Sequence, residues 1–184
     1  MKVIKIFGSI VIGLVALLLL VAAVLPSDYA IKREIAISKN KTEVFEFLKH
    51  LKNQDDYSVW AKMDPNMEKS FQGTDGTVGF ISSWESTHEK VGKGEQEITK
   101  IVEGERIEME LRFFEPFEAK DQAYIATEQI SENETKVTWG FNGSMAYPMN
   151  LFLLFMDMEK ELGGALAEGL DNLKTILDGQ PANM

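Results

Sequence analysis

The amino-acid sequence predicts an α+β fold. A curved antiparallel sheet of about seven strands wraps around one long C-terminal helix, two short helices follow the first strand, and one transmembrane helix precedes everything. Three patterns predict it. Residues 6–25 carry no charged side chain, most segments between residues 29 and 143 alternate with period two, and residues 151–177 repeat apolar side chains every three or four positions. A chain of 184 residues fits one folded domain. The expected division is an anchor over 1–25, a linker over 26–28, the domain over 29–178 and a tail over 179–184.

The run from Ile6 to Leu25 holds 20 residues, of which fourteen are Leu, Ile, Val or Phe and the rest Gly, Ala or Ser. As a helix it rises about 30 Å, the thickness of a bilayer's hydrocarbon core. It is apolar on every face, so a domain this small has nowhere to bury it. A cleaved signal peptide is the competing reading: Lys2 and Lys5 supply a basic start, and Val21-Ala22-Ala23 a small-residue site. The run is longer than the usual 7–15-residue core of such signals, which favours an uncleaved single-pass anchor. Basic residues flank both ends, and the expectation places the domain outside the cytoplasm.

Pro26-Ser27-Asp28 ends the helix. Tyr29, Ile31, Arg33, Ile35 and Ile37 then share one strand face. After Ser38–Lys41, Thr42–Leu51 spaces Val44, Phe45, Leu48 and Leu51 as a helix, and a polar stretch to Asp56 leads to a short helical turn at Tyr57–Trp60. Strands are expected near 67–72, 77–85, 90–102, 106–113, 117–130 and 136–143. Alternation is cleanest at Ile107, Met109, Leu111 and Phe113, opposite Arg106, Glu108, Glu110 and Arg112; one wet and one apolar face mark an antiparallel sheet. The last element, expected from Leu151 to Leu177 after Pro148, sets Leu154, Leu162, Leu166 and Leu173 against Lys160, Glu168, Asp171 and Lys174.

Charge and composition exclude several function classes. The chain has 19 basic and 29 acidic residues; without Lys2 and Lys5 the remainder stands at 17 against 29, a net charge of −12. That opposes nucleic-acid binding and adhesion to anionic head groups, leaving residues 6–25 as the contact with a lipid bilayer. No cysteine is present, so there is no thiolate nucleophile or Cys-type zinc site. No His-x-x-x-His pair, nucleophile elbow or phosphate loop occurs, and no cofactor or metal is expected.

Val91-Gly92-Lys93-Gly94-Glu95-Gln96-Glu97-Ile98, Thr135-Lys136-Val137-Thr138-Trp139-Gly140-Phe141 and Glu168-Gly169-Leu170-Asp171-Asn172-Leu173-Lys174 are similar to the mid-sheet strand, last strand and closing helix of bacterial members of the SRPBCC superfamily. That superfamily is START-like and birch-pollen-allergen-like, and includes polyketide cyclase/dehydrase and lipid-transport proteins. The resemblance runs from about Tyr29 to Leu177 and implies a helix-grip fold with ligand space between the concave sheet face and the long helix. It implies no particular reaction.

On that implication, Trp60, Phe80, Trp84, Met109, Phe113, Trp139, Phe141, Met158 and Leu162 are the candidate lining of a pocket for an apolar small molecule, aromatic and Met side chains suiting an adaptable site. The bland alternative is that they fill a core. Gly163-Gly164 reads as a hinge or as close packing against the sheet. Phe152 and Phe155 read as a ligand portal or a bilayer contact. Arg33 and Asp121 fall on apolar strand faces and are the faint candidates for acid–base chemistry, although a strand end in water is the favoured reading for both. Three functions follow: a membrane-tethered carrier or sensor for a lipid-like ligand, a cyclase- or hydrolase-type enzyme in the same space, and a ligand-free interaction or stress-related module.

Overall fold

The computed structural model describes residues 2–179; Met1 and residues 180–184, most of the expected tail, lie outside the described residues. The chain runs as α1 (Lys2–Val24), β1 (Asp28–Ile37), α2 (Lys41–Lys49), α3 (Gln54–Tyr57), α4 (Val59–Met63), β2 (Glu68–Gln72), β3 (Ile81–Glu85), β4 (Lys93–Val102), β5 (Arg106–Glu115), β6 (Ala119–Ser131), β7 (Glu134–Ser144) and α5 (Met158–Gly179). Turns of 3-10 helix occupy Leu51–Asn53 and Met149–Leu154.

All seven strands form one antiparallel sheet in the order β1-β7-β6-β5-β4-β3-β2. From β2 to β7 each strand pairs with its sequence neighbour, and β1 crosses to join β7. Arg33 lies opposite Trp139 and Ile31 opposite Phe141, so the alternating faces stay in register across the closure. Register shifts in the β4–β5 pair, at Lys93/Gly94 and Ile98/Lys100, increase the local bend. The expected faces hold: Ile107 and Met109 are fully buried, while the opposite face carries Arg112 bound to Glu95, Glu97 and Glu110.

Two expectations shift. The polar stretch after Leu51, given no element of its own by the sequence, is helical. Asp75 takes up the freed amides there, accepting from Leu51 N at 2.8 Å and Lys52 N at 3.4 Å, so a 3-10 turn runs straight into α3 and then α4. The closing helix also begins later than Leu151. Asp157 ends the preceding segment and caps α5, its carboxylate accepting from Lys160 N at 3.0 Å, with Glu159 and Glu161 in the first turn. Leu151, Leu154 and Phe155 keep helical spacing yet belong to the 3-10 turn and its exit.

The core lies between the sheet's inward face and the helices. Phe45, Leu48, Leu51, Phe80, Ile98, Ile107 and Met109 belong to one buried cluster, which Leu166, Leu170, Leu173 and Leu177 of α5 complete. α5 packs chiefly along β1. Its far end is tied down by Asp178, which accepts from Ser38 N at 2.8 Å, and by Lys174 Nζ, which donates to Ala36 O at 2.7 Å. α1 stands apart: its apolar stretch Lys5–Val24 is 6% buried, and its length and hydropathy suit a membrane crossing.

The glycines of α5 divide in role, and within the pair Gly163-Gly164 the first packs closely against the Arg33 guanidinium. A methyl group on Gly164 would meet open space, whereas one on Gly169 would come within 2.7 Å of the Trp139 ring. Gly164→Ala is therefore expected to stabilise the protein by about 0.5–1 kcal/mol through helix propensity. Gly169→Ala is expected to destabilise it by about 1–3 kcal/mol through overpacking. Chemical denaturation of the two variants checks both signs, and equal effects would overturn the assignment.

Candidate functional site

The nine residues expected to line a pocket separate into two groups. Phe80, Met109, Trp139 and Phe141 are buried members of the core. Trp60, Phe113, Met158 and Leu162 are half-buried and pack against its edge, with Trp84 half-buried beside them. Leu111, passed over at the sequence level although it sits between Met109 and Phe113 on the same face, belongs with the second group.

The strands explain the division. Inward residues of β5 read Ile107, Met109, Leu111, Phe113, and burial falls from complete to partial along that series. The buried end belongs to the core cluster that α2 joins through Val44, Phe45 and Leu48. At the other end α5 packs chiefly on β1 rather than on β3, β4 and β5, and Trp60 of α4 with Met158 and Leu162 of α5 pack half-buried against the core. Gly94 sits between Trp84 and Phe113 across the three strands, and its missing side chain admits the Trp84 ring. Trp84 meets Phe113 edge-to-face at 6.0 Å, while its indole N–H donates to Val91 O at 3.2 Å. The result is an apolar surface with its polar edge already satisfied.

The middle of the space under α5 is filled. Trp139 packs edge-on to Tyr57 at 5.5 Å and to Trp60 at 6.3 Å, with Gly169 behind it. Polar groups cross from the short helices: Gln96 Nε2 donates to Gln54 Oε1 at 2.7 Å, and Asn172 Nδ2 to Tyr57 O at 3.1 Å. The Tyr57 hydroxyl is buried without a hydrogen bond, and burial raises its pKa far above that of a free phenol.

Arg33 and Asp121, the faint acid–base candidates, are held apart by structural duties. Arg33 fastens the first turn of α5: Nη2 donates to Glu159 O at 3.0 Å and meets Glu159 Oε1 at 2.8 Å, and Nη1 donates to Lys32 O at 2.8 Å. Asp121 points inward at the end of β6, 6% exposed, and accepts from Ser144 N at 3.2 Å. Burial holds its carboxyl above the ordinary carboxylate range, with the Ser144 amide pulling the other way. The Tyr29 hydroxyl is pushed up to about 12, first by burial and then by the Asp121 charge. Tyr29 and Asp121 share a shallow hollow of about 400 Å³ at this end of the sheet, with Lys120 and Asn142 on its rim. A second hollow, about 570 Å³, lies between the end of α1 and the loop after β7, against Ala22, Tyr147 and Asn150. No group of three metal-ligating side chains occurs among the described residues.

A raised carboxyl pKa means that the folded state prefers the protonated form. Stability is then highest at low pH and falls as pH rises through the folded value. Asp121→Asn, which keeps an oxygen for Ser144 N, is expected to melt a few degrees above the parent at pH 8, at about 2–4 °C per kcal/mol. The gap should close as pH falls into the ordinary carboxylate range. Thermal melts between pH 4 and 8 check it, and a pH-independent gap would sink the account.

No family model matches the sequence, and no curated protein does. Solved structures do. Norcoclaurine synthase of Thalictrum flavum, a point mutant in complex with a transition-state analogue, superposes with a TM-score of 0.59 at 10% identity, covering 84% of this chain and 96% of that one. Major latex-like protein 151 of Panax ginseng gives 0.59 at 12%, covering 84% and 99%. The Aha1 dimer of Colwellia psychrerythraea gives 0.56 at 14%, covering 82% and 96%. At such identities the likeness establishes fold and no activity. The chain carries the helix-grip fold that these structures share.

Proposed function

We propose that the protein is a membrane-anchored binding or carrier protein for an apolar, lipid-like small molecule. The observation that carries this reading is the partial cover of the inward sheet face. Trp60, Trp84, Leu111, Phe113, Met158 and Leu162 keep large apolar surfaces half-open to water on the side of the sheet that elsewhere forms the core. Surface of that kind, turned into a concavity, is the usual make-up of a small-molecule site. Phe80, Met109, Trp139 and Phe141 would form its floor, within reach of a guest that displaces a neighbouring side chain. α1, little buried over an apolar stretch of 20 residues and so about 30 Å long, would be the single-pass anchor, with the domain outside the cytoplasm. The acidic remainder of the chain leaves the helix rather than anionic head groups as the basis of attachment.

A second reading is a protein-interaction module without ligand. It draws on the apolar side chains exposed after β7, among them Phe152 and Phe155.

The three tryptophans, Trp60, Trp84 and Trp139, all belong to the proposed site and none to α1, which makes the site self-reporting. Full-length protein in phosphatidylcholine nanodiscs is expected to show saturable quenching of Trp emission by a brominated fatty acid, reversed by the unbrominated acid. Phe113→Asp should weaken that binding about tenfold or more, because a carboxylate then faces an apolar guest. Quenching that is absent, or that rises linearly without saturation, would reject the carrier and favour the ligand-free module.

A further inference from the structure

We infer that the end of the domain from which α1 departs is itself a membrane-contact surface, in which the β5–β6 loop and the segment after β7 insert apolar side chains among lipid head groups. This rests on the reading of α1 as a bilayer anchor and adds which face of the domain meets the bilayer.

The topology gathers these parts at one end. Asp28, the first residue of β1, pairs with Ser144, the last of β7, beside the start of β6 at Ala119. The β5–β6 loop, the segment after β7 and the first turn of α5 therefore leave the sheet on the α1 side. The opposite end carries the β6–β7 turn and the far terminus of α5, where Ser38 N meets Asp178.

Large apolar side chains stand exposed on these loops. Phe117 is 75% exposed and Phe155 81%, with Phe114, Phe152 and Leu154 about half-exposed. By contrast, exposed apolar side chains at the opposite end are scattered, Ile130 beside the polar turn Ser131-Glu132-Asn133 and Val78 in the β2–β3 loop. The segment after β7 is also fastened to α1 itself: Asn150, buried, donates from Nδ2 to Ala22 O at 2.8 Å and to Leu25 O at 3.2 Å. A helix crossing the bilayer therefore delivers Phe152 and Phe155 to the level where its own apolar stretch ends.

Aromatic and Leu side chains beside a helix end are suited to the interface between head groups and acyl chains. Charge sets the lipid class. Glu115, Glu118 and Asp157 lie on the same loops, opposed by Lys120, so insertion rests on apolar contact with zwitterionic lipid rather than on attraction to anionic lipid. The half-covered surface around Phe113, Met158 and Leu162 opens at this same end, which gives a lipid-like guest a path that avoids bulk water.

The absence of cysteine permits single-cysteine labelling. Full-length protein in phosphatidylcholine vesicles would carry an environment-sensitive fluorophore at position 117, 155, 132 or 14. Position 14 reports α1 and position 132 the opposite end. Expected are a blue shift and a severalfold loss of iodide quenching at 14, 117 and 155, with 132 remaining aqueous. In the 117-labelled chain, Phe152→Asp with Phe155→Asp should abolish most of the shift. A buried probe at 14 with aqueous probes at 117 and 155 would overturn this inference and leave the anchor standing; that is also the result expected if a protein partner covers these loops. An aqueous probe at 14 would overturn both. A shift at 117 that survives the double substitution would trace insertion to the dye and overturn the inference.

Discussion

The contact of Trp139 with Gly169 is the constraint around which this domain is arranged. A sheet can be closed by a helix only where the two backbones approach closely, and here two glycines of α5 allow it, Gly169 against the Trp139 indole and Gly163 against the Arg33 guanidinium. Tyr57 and Trp60 meet the same indole from the short helices. Three covering elements thereby converge on a single residue of β7. Arg33, opposite Trp139 in the register, fastens the first turn of α5, and Asp178 and Lys174 fasten its last. The helix is thus pinned in the middle and at both ends along the β1 edge.

That placement has a cost elsewhere in the sheet. A helix held chiefly over β1 leaves Leu111 and Phe113 of β5 half-buried, while Ile107 and Met109 of the same strand are fully buried in the core. The remaining apolar surface cannot be removed without shortening the strands that build the core, so it persists half-covered. The proposed ligand site is in this sense a by-product of how the sheet is closed, rather than a cavity hollowed from a filled interior. The space under the middle of α5, where a family resemblance alone would look for a guest, is taken up by Trp139 and its neighbours.

Much of the fold was legible because one physical rule, an apolar face turned inward, writes itself into the order of residues. Alternation at Ile107, Met109, Leu111 and Phe113 placed β5, and it placed Asp121 and Arg33 on inward faces. The same rule misled at residues 151–155, where helical spacing continues across a 3-10 turn; the capping Asp157 was the competing signal and lay in plain view. The helical nature of residues 51–57 depended on Asp75, a partner more than twenty positions away, and no local pattern announces such a bond. For the site, residue type picked out nine side chains, of which the structure buries four in the core and leaves five half-buried. It could not separate the buried floor of Met109 and Trp139 from the half-open rim of Phe113 and Leu162. That difference arises from where α5 comes to rest, which is a tertiary outcome.

The joint between α1 and β1 carries one more consequence. Three residues, Leu25 to Ser27, separate the two elements, a reach of roughly 10 Å at full extension. Asn150 further welds the helix end to the loop after β7. Anchored as proposed, a head on so short and braced a neck would not swing outward to patrol the aqueous space, nor ferry cargo between two separated membranes. Its working radius would be the leaflet beneath it, and any exchange with a distant donor or acceptor would require that party to come to it.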